Sequence, residues 1–287
     1  MNEVRLGILG GSGLYQMEGL SQTEELRVDT PFGPPSDAIT VGVLEGQRVA
    51  FLPRHGRGHR ISPSELPVRA NIWALKSLGV ERIISVSAVG SLREEIRPSH
   101  LVVPDQLIDR TKTRVNSFFE GPIVVHIPFA DPFCPELSHL LAGEARGAGA
   151  TVHQGGTLVV MEGPLFSTRA ESNLYRSWGA SIIGMTALPE AKLAREAEIC
   201  FSVLACATDY DCWHPSEESV TIEMVLQILN QNVAKAKQII RSVAAALPSR
   251  RERCSCGSAL QNAIITAPEL IPPEVKRKYE LLVRKYL

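Results

Sequence analysis

Short apolar runs rich in β-branched residues punctuate the chain: "VRLGIL", "RVAFL", "RIISVSAV", "HLVVPDQLI", "GTLVVM", "ASIIGM" and "ICFSVLACAT". Runs of this length and composition suit buried strands better than helices. Helical patterns lie between several of them, over Pro67 to Leu78, Pro135 to Gly147 and Ser167 to Trp178. Gly79 and Gly149 close the first two, and Ser167 is the expected cap of the third. The longest helix is expected over Thr221 to Ala246, after the capping residues of "HPSEES" and up to Pro248. This alternation predicts an α/β protein with a mostly buried, mixed sheet. Pro248 to Gly257 reads as a linker, and "PPEVKRKYELLVRKYL" as a terminal amphipathic helix. That tail is too short for a core of its own, so it is expected to dock on its own domain or on a neighbouring subunit.

With 287 residues, 44% hydrophobic and 21% charged, the chain can bury a substantial core. Its net charge of -1 gives no electrostatic reason to expect nucleic acid or an anionic membrane as partner. Neither a leader pattern nor a run of 18 apolar residues is seen, so the expected location is cytoplasmic. Of the six cysteines, most are expected to be small buried apolar residues. Cys254 and Cys256 stand one residue apart in a polar setting, without a second Cys or His pair at zinc-site spacing. A redox-sensitive pair and a bridge to Cys200 or Cys206 are the alternatives; no metal site is expected.

Five stretches carry chemistry. In "LGILGGSGLY" a strand runs into Gly10, Gly11, Ser12 and Gly13, whose amides can approach an anion closely. The stretch fits neither the dinucleotide fingerprint nor the Walker loop, and alone it is equally an ordinary tight turn. In "LPRHGRGH", Arg54 and His55 follow a strand, and the arginine fork suits phosphate. His55 and His59 as a metal pair is the weaker alternative, because the glycines between them argue against a helix. "SVSAVGSLREE" brings Ser87, Ala88 and Gly90 to the end of a buried strand, where ligands of open α/β sheets gather. "VVMEGPLFSTRAES" holds Met161, Glu162 and Phe166 before a helix, Phe166 being either core or a surface for stacking on a heterocycle. In "CFSVLACATDYDCWH", Asp209 and Asp211 are two apart, which in an extended segment points both carboxyls to one side.

In this order, "GILGGSGLY", "VDTPFGPPSDA", "RHGRGH", "ANIWALKSLG", "GSLREEI", "DQLIDRT", "HIPFADPFCP", "EGPLFSTRAES", "MTALPEAKLAREA" and "ATDYDCW" resemble the trimeric purine nucleoside phosphorylase superfamily. Within it, the chain is most similar to the S-methyl-5'-thioadenosine phosphorylases. The resemblance implies a single domain over residues 1–287, with a mixed, partly barrel-like sheet flanked by helices and 254–287 as a helical extension. It implies phosphorolysis of S-methyl-5'-thioadenosine to adenine and 5-methylthioribose 1-phosphate. A broader purine nucleoside phosphorylase, acting on adenosine or on inosine and guanosine, is the alternative. Inorganic phosphate would be a co-substrate, with no cofactor, and the assembly a homotrimer or a dimer of trimers.

Carried over by residue, the resemblance puts phosphate at Ser12, Arg54, His55, Ser87, Ala88 and Thr186. It lays Met185 along the ribose and Phe166 beside the base. Asp209 and Asp211 would be the catalytic pair, holding the purine through N7 and the 6-amino group. His126 would reach a neighbouring subunit's 5' pocket. Pro67, Val68, Leu165 and Gly184 depart from the family pattern and bear on substrate breadth.

Overall fold

Two ten-residue strands set the frame, β5 (Arg82–Ser91) and β11 (Cys200–Asp209), which run parallel from Cys200 opposite Arg82 to Ala207 opposite Val89. The computed structural model describes residues 4–11, 14, 17–215, 222–251 and 254–287. All ten residues of β11 are buried; this suits its uncharged part, Cys200 to Thr208, inside a parallel sheet covered on both faces, while Asp209 is a buried acid at the strand's end.

On the far side of β5 lies β1 (Leu6–Gly10), followed by β4 (Gln47–Pro53), both parallel to it. Antiparallel strands β3 (Ile39–Leu44) and β2 (Ser21–Leu26) finish that edge. The carboxyl end of β5 pairs antiparallel with β10 (Ile182–Gly184), which continues to β9 (Thr157–Met161) and β7 (Gln106–Arg110). A second branch leaves β11 through β6 (Leu101–Val103) to β8 (Val152–Gln154). The sheet is therefore mixed and branched, and it forks where β5 and β11 end.

Two helical layers cover it. Helices α2 (Pro135–Gly147) and α5 (Ile222–Ala246) pack on β11 from one side. Helices α1 (Val68–Ser77) and α4 (Ala187–Glu196) pack on each other, and α4 also on β11. Helix α3 (Arg169–Ser177) covers the β9–β10 branch, with Tyr175 buried against Val159 and Ile183. The cap of α3 is Thr168, not Ser167. Thr168 Oγ1 accepts from the Glu171 N–H and the Glu171 carboxylate accepts from the Thr168 N–H, a reciprocal capping box. Gly79 and Gly149 sit at positive φ just past α1 and α2, where a side chain would be strained. The residues of "HPSEES" expected to cap α5 lie, beyond Pro215, outside the described residues. No helix among the described residues is long and apolar enough to cross a membrane.

The tail docks on the core of its own chain. Leu260, Ile271, Tyr279 and Leu282, the last two from α6 (Pro273–Val283), join the same buried cluster as Ile72, Val102 and Phe201. Glu198, only 3% exposed at its side chain, anchors it. Its carboxylate accepts from the Leu260 N–H at 3.2 Å, from Lys285 Nζ at 2.7 Å and from the Tyr286 hydroxyl. A hydrogen bond to a buried carboxylate contributes about 1.5–3 kcal/mol. Tyr286→Phe is expected to lower unfolding free energy by about 2 kcal/mol in urea titration; an unchanged midpoint would show that the tail is not held through Glu198.

Candidate active site

The carboxyl ends of β1, β4, β5 and β11 open on one side of the sheet, as parallel strands must. Most of the sequence-predicted residues lie on or just beyond these ends. The Arg54 N–H donates to Gly10 O at 3.0 Å and so locks the end of β4 to the end of β1. The Arg54 guanidinium then turns inward. Its Nε meets Glu190 Oε1 at 2.5 Å, its Nη1 meets Val86 O at 3.0 Å, and its Nη2 meets Ser85 Oγ at 2.6 Å. Leu9 O and Glu190 Oε2 accept from Nη2 as well, each at 3.3 Å. All three guanidinium nitrogens are thus bonded inside the protein, and the side chain is 2% exposed. The fork that the sequence suggested for phosphate holds Glu190 and the strand ends, which makes Arg54 a strut of the site.

His55 follows on a loop whose turns need Gly56 and Gly58 at positive φ. Its Nδ1 lies 2.8 Å from Ile61 O. A carbonyl only accepts, so Nδ1 carries the proton and Nε2 presents a lone pair. Burial, then the neighbouring Arg54 charge, pushes the imidazole down to about 4. The ring stacks on His59 with centroids 4.2 Å apart. Ser87 and Ala88 are half-buried on β5, next to the ends just described. Thr186 is buried at the N-cap position of α4, and its hydroxyl does not cap that helix. Ser12 lies outside the described residues.

The other half of the site grows from an irregularity. The β5–β11 register shifts between Ala207 and Asp209, so that Asp209 comes opposite Gly90. A bulge of this kind re-aims a side chain at the end of a strand. Asp209 Oδ2 accepts from Thr208 Oγ1 at 2.7 Å, and Oδ1 from the Asp211 N–H at 2.8 Å. Asp211 is not extended, as its spacing from Asp209 suggested. It sits in a turn at φ 52°, and the carboxylate of Asp209 holds it there. Burial lifts the Asp211 carboxyl above the usual carboxylate range, against the lowering effect of nearby donors that include the Cys212 N–H. A Cβ at Gly90 would stand 3.1 Å from Asp209 Oδ1 and 3.2 Å from Asp211 Cβ. Any side chain there would press on both carboxylates.

Between the halves runs the segment after β10. Gly184 lies against Val89 and the Ala88 carbonyl, and Met185 folds its sulfur over Gly163. Phe166 is 46% exposed, on a loop tied to the aspartates because Cys212 Sγ donates to Ser167 O at 3.3 Å. His126 is exposed apart from these groups. Its N–H donates to Ala263 O at 2.9 Å in the tail.

Two residues missed by sequence reasoning, Glu190 and Arg114, hold this frame together with Glu162. Glu190 faces Arg54. Arg114, with a side chain 3% exposed, donates to the carbonyls of Met161, Glu162, Met185 and Leu188 and so joins the two loops that carry Glu162 and Met185. Burial acts to raise the Glu162 carboxyl, but the N–H groups of Lys112 and Thr113 overcome it and hold the group below its usual range. The only signal for Glu190 was a charge at the edge of an apolar stretch.

Residues 5–245 match the family model of the phosphorylase superfamily. The chain belongs to that superfamily, with the S-methyl-5'-thioadenosine phosphorylases. The S-methyl-5'-thioadenosine phosphorylase of Geobacter sulfurreducens is 59% identical over 283 residues, covering 98% of this chain and 99% of that one. Its counterpart in Gloeobacter violaceus is 56% identical over 288 residues, 99% of this chain and 96% of that protein. Among solved structures, a methylthioadenosine phosphorylase from an antarctic soil metagenomic library superposes with a TM-score of 0.94 at 48% identity, covering 98% and 99% of the two chains. The Schistosoma mansoni methylthioadenosine phosphorylase in complex with adenine gives 0.80 at 37% identity over 87% of this chain and 93% of that one.

The state of His55 is open to direct measurement. The unfolded chain takes up this proton near 6.5 and the folded chain only near 4. The folded state therefore loses stability as pH falls through that window. In a histidine-labelled NMR titration the His55 Cε1 resonance should stay at its neutral position from pH 8 to pH 5; a midpoint near 6.5 would contradict its burial beside Arg54.

Proposed function

We propose that this enzyme cleaves S-methyl-5'-thioadenosine by phosphorolysis, giving adenine and 5-methylthioribose 1-phosphate. The observation that carries the reading is the Asp209–Asp211 pair seated over Gly90, at the far end of the same strand that bears Ser87 and Ala88. Three residue-to-residue steps of strand lead from Ser87 to Gly90, about 10 Å at 3.3 Å per step. That length suits a nucleoside with its C1' side at Ser87 and its base at the aspartates.

In this reading phosphate rests on the amides after β1 and β4, on Ser12, Ser87 and the Ala88 amide, and on Thr186. Arg54 positions these strand ends rather than supplying its fork. His55 contributes its backbone, and its Nε2 lone pair can take a hydrogen bond from a protonated phosphate oxygen or a ribose hydroxyl. Met185 lies along the ribose and Phe166 beside the base. The glycosidic bond opens through a cation-like ribosyl state that the phosphate anion stabilises and then captures at C1'. The bond's electron pair leaves with adenine. Asp209, protonated when the nucleoside binds, gives that proton to N7 and recovers one from the solvent, which takes up the proton shed by the phosphate, and Asp211 accepts from the 6-amino group. No cofactor takes part.

A homotrimer or dimer of trimers belongs to the same reading, with His126 reaching a neighbouring subunit's 5' pocket. The exposed Val124 and Ile265 beside that residue, Leu270 farther along the tail, and Leu165 and Leu174 around α3 supply apolar surface for such contacts. A cytoplasmic location is consistent with six cysteines free of disulfide bonds.

Release of free base from methylthioadenosine, adenosine and inosine, each with and without phosphate, tests the proposal. Methylthioadenosine should be cleaved fastest and only with phosphate, whereas release that ignores phosphate would indicate a hydrolase. Asp209→Asn should cut kcat on adenine nucleosides by about 100-fold or more, with a smaller loss on inosine. Equal losses on both would remove Asp209 from base protonation.

A further inference from the structure

The four thiols of Cys134, Cys200, Cys254 and Cys256 converge, and all their Sγ atoms lie within 4.8 Å of one another. They come from three parts of the chain: the residue before α2, the first residue of β11, and the segment leading into the tail. The sequence pairs Cys254 with Cys256 and leaves a bridge to Cys200 or Cys206 as the alternative; the fold brings Cys134 and Cys200 to the pair, and Cys206 is not part of the group. Cys134, Cys200 and Cys256 are buried and Cys254 is half-buried.

The separations identify what the group suits. Cys200 Sγ and Cys254 Sγ are 3.5 Å apart, well beyond the roughly 2.05 Å of a disulfide. Four thiolates around one zinc at about 2.3 Å stand about 3.8 Å from each other. We propose that Cys134, Cys200, Cys254 and Cys256 form a closed tetrathiolate site for one zinc ion.

Charge at the site supports this. A zinc tetrathiolate carries two negative charges, and two arginines are at hand. Arg82 pairs in register with Cys200 and is 2% exposed. Its Nη2 has no hydrogen-bond partner among the described residues. It lines one small cavity with Cys134 and Cys200. Arg251 lies within electrostatic reach of the Cys200 and Cys254 sulfurs, while its Nη1 donates to Glu198 O at 2.7 Å. Arg82 Nη1 donates to Glu81 Oε2 at 3.1 Å, which leaves Nη2 as the unpartnered corner of a buried guanidinium; beside neutral thiols that corner is costly, and beside a dianionic cluster it has a counter-charge.

The role is structural. Cys200 and Asp209 are the two ends of β11, about 30 Å apart at 3.3 Å per residue. All four positions around the metal are taken by sulfur, which leaves none for a substrate. Binding releases the four thiol protons to solvent and fastens the start of the tail to α2 and β11.

The full-length protein, purified under reducing conditions without added metal, tests this by elemental analysis. One zinc per chain is expected, released stoichiometrically by a mercurial reagent, with four thiols protected from a thiol probe until release. Cobalt exchanged into the protein should show the intense visible bands of a tetrahedral thiolate complex. Cys256→Ser should lose the zinc and melt at lower temperature, while Cys212→Ser keeps it. Wild-type protein with no metal and four reactive thiols would overturn the assignment. So would an intact mass lower by the four hydrogens lost in forming two disulfides.

Discussion

The buried pair between Arg54 and Glu190 governs the functional end of the molecule. One guanidinium binds a carboxylate from α4, a carbonyl at the end of β1, and a hydroxyl and a carbonyl from β5, while its own N–H ties β4 to β1. Four elements distant in sequence are thereby held at one point. Ser85 completes the arrangement by donating to Glu190 Oε2 at 2.9 Å while accepting from Arg54. Removing one member of such a pair leaves an uncompensated buried charge, at a cost of about 3–5 kcal/mol. The end of β1, the His55 loop after β4 and the Ser87–Ala88 stretch of β5 depend on it for their mutual spacing.

The aspartate side is built differently, from local backbone irregularity. The register shift before Asp209, the positive φ of Asp211 and the closeness of Gly90 form one unit in which each feature requires the others. Arg114 then fixes the middle by holding carbonyls of the two loops that carry Glu162 and Met185. Charged residues of the frame face inward to backbone and to each other, so the surfaces left for a ligand are amides, small side chains and the aspartates.

Much of the fold was legible because the buried strands are mostly apolar, as β1 and the stretches Ile83–Ile84 of β5 and Val203–Ala207 of β11 are. The polar, exposed β2 carries no such signal, and β8 is three residues long. "HLVVPDQLI" reads as one strand, but Pro104 and Asp105 divide it into β6 and β7, which pair with different partners. Helix α4 was obscured by Pro189 within its first turn, and at α3 the reciprocal bonding of Thr168 and Glu171 displaced Ser167 as cap. The order of the five motifs located the strand ends. The direction of the Arg54 side chain, the partner roles of Glu190 and Arg114, and the meeting of four cysteines depend on contacts between segments far apart in sequence, which spacing along the chain does not encode.

A double-mutant cycle across Arg54 and Glu190 tests most directly whether this arginine organises the site or binds phosphate itself. Arg54→Met and Glu190→Leu should each lower stability and raise the phosphate KM. The double variant should recover both, since its buried charges are gone together. Stability that returns while the phosphate KM stays as high as in Arg54→Met would contradict the account and assign the guanidinium to phosphate.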